Sequence, residues 1–164
     1  MRPTVVIGID PGTYCGWAVL DAVTGDRIAS GTWNLQPRRH EGGGMRYVHF
    51  DAHFGALLDA YDVRAVAYEE VRRHAGTDAA HIYGGIVAHL GSACERRALP
   101  YEGVPVGTVK KQATGKGNAD KTKMLLAAAL RWHGHEFRSA DDEADACWIA
   151  EAWRVANIPN GRSA

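Results

Sequence analysis

The sequence predicts a mixed α/β domain in which helices cover both faces of one five-stranded sheet. Three observations carry that expectation. The run Thr4-Val5-Val6-Ile7-Gly8-Ile9-Asp10 is apolar or small at both alternating sets of positions up to its closing carboxylate, the pattern of a strand buried on both faces. Two more short strands follow it directly. After them, stretches of helical periodicity alternate with single strands, and 164 residues suffice for one domain, 1–164, with a core of its own.

In chain order, the first strand stops at Asp10, where Pro11-Gly12 breaks it. Residues 15–20 read as a second strand and 27–35 as a third, joined through Thr24-Gly25-Asp26 in a hairpin connection. Residues 36–44, with Arg38, Arg39, His40 and three consecutive glycines, make a flexible, partly basic loop. Over 45–61 the apolar residues Tyr47, Val48, Phe54, Leu57, Leu58 and Tyr61 recur at helical spacing, and 64–69 is a short strand that again ends in a carboxylate. The helical stretch 79–99 carries Gly84, Gly85 and Ala88 at its middle, small residues that permit close approach to the sheet or to a second subunit. A brief strand over 101–104 leads through Pro105 into a lysine-bearing stretch. A helix over 118–132 then shows Met124, Leu125, Ala128 and Ala129 on one face. The last helix, 142–156, buries Ala146, Ile149, Ala150 and Trp153. Trp17, Trp33, Trp132, Trp148 and Trp153 mostly fall on strand or helix stripes, which assigns them to the core rather than to base stacking.

The formal charge is zero, so net charge names no partner. Distribution says more. All five lysines, Lys110, Lys111, Lys116, Lys121 and Lys123, lie in one stretch whose only acid is Asp120. That is a phosphate-binding footprint or, more plainly, a solvated loop and helix face. Cys15, Cys94 and Cys147 are odd in number and set among apolar residues, as in a reduced intracellular protein. CxxC and HExxH are absent and the eight histidines are scattered, which argues against a zinc site. Without a basic region followed by a long apolar run, the expectation is a soluble cytosolic protein with no signal peptide and no membrane partner.

Four carboxylates stand out by position. Asp10 and Glu69 end strands, while Asp142 and Asp145 lie three apart near the start of the last helix and share one of its faces. If the two strands are neighbours and the helix packs against their ends, all four converge and demand cations. An all-oxygen set suits Mg²⁺ or Mn²⁺, and two such ions about 4 Å apart would be placed to activate a water and stabilise the leaving oxygen of a phosphodiester. Each acid also has a plainer reading. Asp10 serves as a turn cap; Asp141, Asp142 and Glu143 are favoured at a helix N-terminus; Asp145 faces solvent; Glu70 replaces Glu69 as the inward carboxylate.

The blocks Ile7-Gly8-Ile9-Asp10-Pro11-Gly12, Ala67-Tyr68-Glu69-Glu70-Val71, Val109-Lys110-Lys111 with Thr114-Gly115-Lys116-Gly117-Asn118-Ala119-Asp120-Lys121, and Asp142-Glu143-Ala144-Asp145-Ala146 closely resemble the RuvC Holliday-junction resolvases. All four occur in the family's order and together span nearly the whole chain. The lysine block and Ala79-Ala80-His81-Ile82-Tyr83-Gly84-Gly85 look most like the bacteriophage branch. The resemblance implies an RNase H-like fold and a homodimer that nicks four-way DNA junctions in pairs with two divalent metals, in recombination and repair or phage DNA processing. It makes Asp10, Glu69, Asp142 and Asp145 the metal ligands, and places Lys110 and Lys121 near the scissile phosphate as catalytic cations. It assigns dimer contact to the central helix over 79–97, which begins at Ala79 and ends at Arg97. Arg72, Arg73, Lys110, Lys111, Lys116, Lys121 and Lys123 become the DNA-binding set. Where cellular resolvases often present an aromatic two residues beyond Glu70, this chain has Arg72, Arg73 and His74. A looser nuclease that also cuts flaps and forks is consistent with that departure. A phosphotransferase using the Asp10 turn as a phosphate loop, and a junction-binding module without catalysis, are the remaining rivals.

Overall fold

The computed structural model describes residues 2–137 and 141–159. Its elements are β1 (Thr4–Asp10), β2 (Tyr14–Asp21), β3 (Arg27–Asn34), α1 (Met45–Ala60), β4 (Asp62–Glu70), α2 (Thr77–Glu95), β5 (Tyr101–Pro105), α3 (Val106–Thr114), α4 (Lys121–Arg131) and α5 (Asp141–Asn157). The strands form one sheet in the order β3-β2-β1-β4-β5, so β1 is central. β1, β2 and β3 pair antiparallel, while β4 is parallel to β1 and β5 to β4.

The two alternating sets of β1 side chains feed two cores. Val5, Ile7 and Ile9 pack with Phe50 and Phe54 of α1 and Ile86 and Leu90 of α2. Val6 faces the other side, with Met124 and Ala128 of α4 and Ala146, Trp148 and Ala150 of α5. Gly8 is required on this second face. A methyl there would strike the Ala146 carbonyl and lie 2.9 Å from Ala150 Cβ. Gly16, paired with Asp10 across the β1–β2 ladder, meets the Asp142 backbone in the same way. These two missing side chains let α5 lie directly on the sheet.

Several expectations need correction. The element order read from the sequence has no helix between the last strand and 118, yet Val106–Thr114 is helical. This helix buries only Val109 outright, too little apolar periodicity to register in the sequence. It ends at Gly115, whose φ of 78° is the left-handed conformation that favours glycine, so Gly115 serves the helix end. α4 starts at Lys121 rather than 118 because the Asp120 carboxylate caps it, accepting from the Lys123 N–H at 2.9 Å. α2 stops at Glu95, so Arg97 and Leu99 lie beyond it. Val48 is 54% exposed, and Phe50 takes the buried position on α1 instead. Gly85 fits against the Tyr47 ring, which makes it an α1–α2 packing residue, whereas Gly84 meets nothing. Trp132 and Trp148 are buried with ring centroids 4.7 Å apart, while Trp17, Trp33 and Trp153 are only partly covered. The three cysteines are free and buried, and burial pushes the Cys94 and Cys147 thiols up to about 12. Among the described residues no helix is long and apolar enough to cross a membrane.

A buried ion pair pins the β2–β3 connection from below. Glu151 accepts from Arg154 Nε at 2.7 Å and Nη2 at 3.0 Å, and from Arg131 Nη2 at 3.4 Å. The arginines in turn donate to the carbonyls of Val23 and Thr24, and Trp132 donates to that of Gly25. Glu151→Gln keeps the shape and removes the charge that both guanidinium groups face. It should cost about 2 kcal/mol, which a thermal melt would read as a fall of roughly 4–8 °C for a domain of this size. An unchanged melt would show that the pair contributes nothing net.

Candidate active site

Parallel pairing sets the first two acids side by side. Ile9 of β1 is opposite Tyr68 of β4, so Asp10 and Glu69 emerge together one residue further on, at the same sheet end. Because α5 sits on β1 and β2 through Gly8 and Gly16, its first turns bring Asp142 and Asp145 to that end as well. All four predicted carboxylates therefore converge, although they come from three separate elements. Glu70 instead makes a 3.6 Å ion pair with Arg72, so Glu69 is the inward residue.

Their electrostatics record the crowding. Burial, then Glu69, Asp145 and Asp142, push the Asp10 carboxyl well above its usual range. Burial raises Asp145 to about 7, with Glu69, Asp141 and Asp142 adding to the shift. Glu69 is raised by burial, against the pull of Lys110 and a hydrogen bond with Asp10. Asp142 is raised by burial and by Asp141. Among the described residues no three His, Cys, Asp or Glu side chains are drawn tightly enough together to hold an ion as they stand. Like charges this close favour standing apart, and a divalent cation reverses the sign of that interaction. The donor set, four carboxylates at a half-buried rim, has the chemistry of a hard-cation site.

Two lysines face the acids. Lys110 on α3 acts on Glu69, and Lys121 at the start of α4 acts on Asp10, Asp142 and Asp145. Glu69, Lys110, Lys121 and Asp145 line one cleft of about 460 Å³, floored by Val109 and Met124. Lys111, Lys116 and Lys123 are exposed on the same flank. Arg72 and Arg73 line a neighbouring depression with Glu70 and Pro105.

Two participants escaped sequence reading. Asp141, taken there as a helix-dipole acid, holds Lys121 in a 2.6 Å ion pair and so aims its ammonium. Tyr83 of α2 donates to the Glu69 carbonyl at 2.8 Å and accepts from the Val71 N–H at 3.0 Å, clamping the strand end that carries Glu69. No spacing rule links residue 83 to residue 69 across a loop, so nothing in the sequence marked it.

The family described as crossover junction endodeoxyribonuclease RuvC matches residues 6–152. The RuvC of Erythrobacter litoralis is 30% identical over 98% of this chain and 99% of its own length. That of Corynebacterium diphtheriae is 32% identical over 91% of this chain and 94% of its own. Among solved structures, RuvC of Thermus thermophilus in complex with a Holliday-junction substrate superposes with a TM-score of 0.80 at 24% identity, over 90% of this chain and 91% of the other, a likeness of fold. With the family matched from the first strand into the last helix, and the four acids brought to one sheet end, the chain belongs to the RuvC family of crossover junction endodeoxyribonucleases.

Proposed function

We propose that this protein resolves four-way DNA junctions by metal-dependent hydrolysis at the cluster of Asp10, Glu69, Asp142 and Asp145. The observation that carries the reading is the convergence of four mutually repelling carboxylates opposite two lysines in one cleft. The acids fit Mg²⁺ or Mn²⁺, two per site, and such ions supply the positive charge that polarises phosphodiester and water. The chain's own groups do the rest. Asp10 and Glu69 hold fixed positions because they end paired strands, and Tyr83 prevents the Glu69 strand end from fraying. Lys110 and Lys121 attract the phosphate and oppose the charge that builds on it in the transition state. Lys111, Lys116, Lys123, Arg72 and Arg73 extend the track along the backbone of branched DNA.

The whole chain serves as one nuclease domain, acting in the cytoplasm where DNA is handled. Dimerisation runs through the outer face of α2, where Gly84 and Ala88 are exposed and a second helix can approach closely. Two sites related by a two-fold match the symmetry of a junction.

One observation favours a looser variant of the same activity. Arg72 is 82% exposed and pairs with Glu70, so the position offers an exposed cation for phosphate and no aromatic wedge. Cleavage of end-labelled four-way junction, flap and linear duplex of matched sequence separates the readings. Cutting confined to the junction supports a true resolvase; equal cutting of flaps makes it a general branch nuclease; binding without cutting leaves a junction-binding module.

Metal binding has its own readout. Mg²⁺ or Mn²⁺ at about 100 times its dissociation constant contributes about 2.7 kcal/mol, or roughly 5–10 °C in melting temperature. Asp10→Asn should remove most of that shift. An equal shift in both proteins would place the ion elsewhere.

A further inference from the structure

Arg46 is a cation that the carboxylate cluster does not use. It stands in the first turn of α1, on the sheet face opposite α3, α4 and their lysines. Its Nη1 donates to Thr13 Oγ1 at 2.9 Å, three residues beyond Asp10 in the turn that joins β1 to β2. Among the described residues no carboxylate lies within ion-pair distance of it. The cations that act on the four acids are Lys110 and Lys121, and Arg46 is not among them. The guanidinium is part-buried with one neutral partner, so its other N–H donors are left for an anion.

The hydrogen bond has a direction with consequences. Arginine has no acceptor, so Thr13 Oγ1 must accept, and its own hydroxyl hydrogen is left to donate. Among the described residues it has no acceptor. The Thr13 backbone is fixed too, its carbonyl accepting from Leu35 N at 2.8 Å. A hydroxyl donor and the remaining guanidinium donors thus meet at the turn that follows Asp10. Arg38, Arg39 and His40 are exposed on the loop leading into α1. We infer that Arg46 and Thr13 form a phosphodiester-binding subsite on the second wall of the cleft, which holds a backbone phosphate flanking the scissile one while Lys110 and Lys121 hold the strand from the first wall. A strand crossing the carboxylates is then gripped on both sides. This inference rests on the nuclease reading above.

The test measures binding of a fluorescent four-way junction by the full chain in chelator over a salt series, with folding of each variant checked by melting. Arg46→Gln should bind about tenfold more weakly and lower the slope of log affinity against log salt by about one. Arg46→Lys should restore the slope, and Thr13→Val should weaken binding about threefold with the slope unchanged, because it removes a neutral donor. Junctions with single methylphosphonates near the cut should locate one position whose neutralisation weakens the native protein but not Arg46→Gln. Native salt slope in Arg46→Gln, with Lys121→Gln reducing it, overturns the subsite and makes Arg46 a brace for the turn. Salt-independent binding in the native protein would instead remove the nuclease reading itself.

Discussion

Asp145→Asn is expected to abolish cutting, by at least about 10³-fold, while junction affinity stays within about twofold of native. The two halves of this expectation have separate physical origins. The amide has the shape of the carboxyl but offers one neutral oxygen, so the cluster loses a negative charge at the position where burial and three other acids already raise the group to about 7. On the proposed reading, attraction for DNA comes from the lysines of α3 and α4 and from the arginines beyond β4, and of these only Lys121 interacts with Asp145. It also removes one repelling charge from the metal-free protein, so the variant should melt no lower than the native chain. Joint loss of binding and cutting would contradict the division between a carboxylate centre and a cationic track.

Gly16→Ala should be the most damaging single methyl. The added carbon would overlap the Asp142 backbone, and a helix backbone cannot turn aside as a side chain can. We expect a cost above about 3 kcal/mol, a fall of more than roughly 6 °C in melting temperature, and loss of cutting even in the folded fraction, because displacing α5 moves Asp142 and Asp145 together. Gly55→Ala, on an open stretch of α1 with nothing within 4 Å, is the matched control and should be neutral or slightly stabilising. A folded, active Gly16→Ala protein would mean that α5 reaches the sheet by some other contact.

What was legible in the sequence followed from strong local patterns. The double-faced apolar run of β1 and the carboxylates closing β1 and β4 needed no tertiary knowledge, and the spacing of Asp142 and Asp145 placed them on one helix face. Their convergence was conditional on strand adjacency, which the parallel Ile9–Tyr68 register supplies. Helix α3 was invisible because a nine-residue helix with a single fully buried residue has almost no periodicity to detect. The exchange of Val48 for Phe50 on α1 is a rotation of the helix that only packing decides. Tyr83 and Arg46 act through contacts 14 and 33 residues away in sequence, with loops between, and residue type alone does not announce such partners. The small residues of α2 had two open readings: Gly85 takes the one within the chain, against Tyr47, while Gly84 remains on the surface, where a second subunit is the proposed partner.

The most direct test uses a supercoiled plasmid that extrudes a cruciform, incubated with the purified protein in Mg²⁺ and, in parallel, in chelator. Two coupled nicks across the four-way junction convert the plasmid to linear molecules with ends at the cruciform base. The account predicts linear product in Mg²⁺, none in chelator and none with Asp145→Asn. Nicked circles forming equally fast on a plasmid without the cruciform would contradict it.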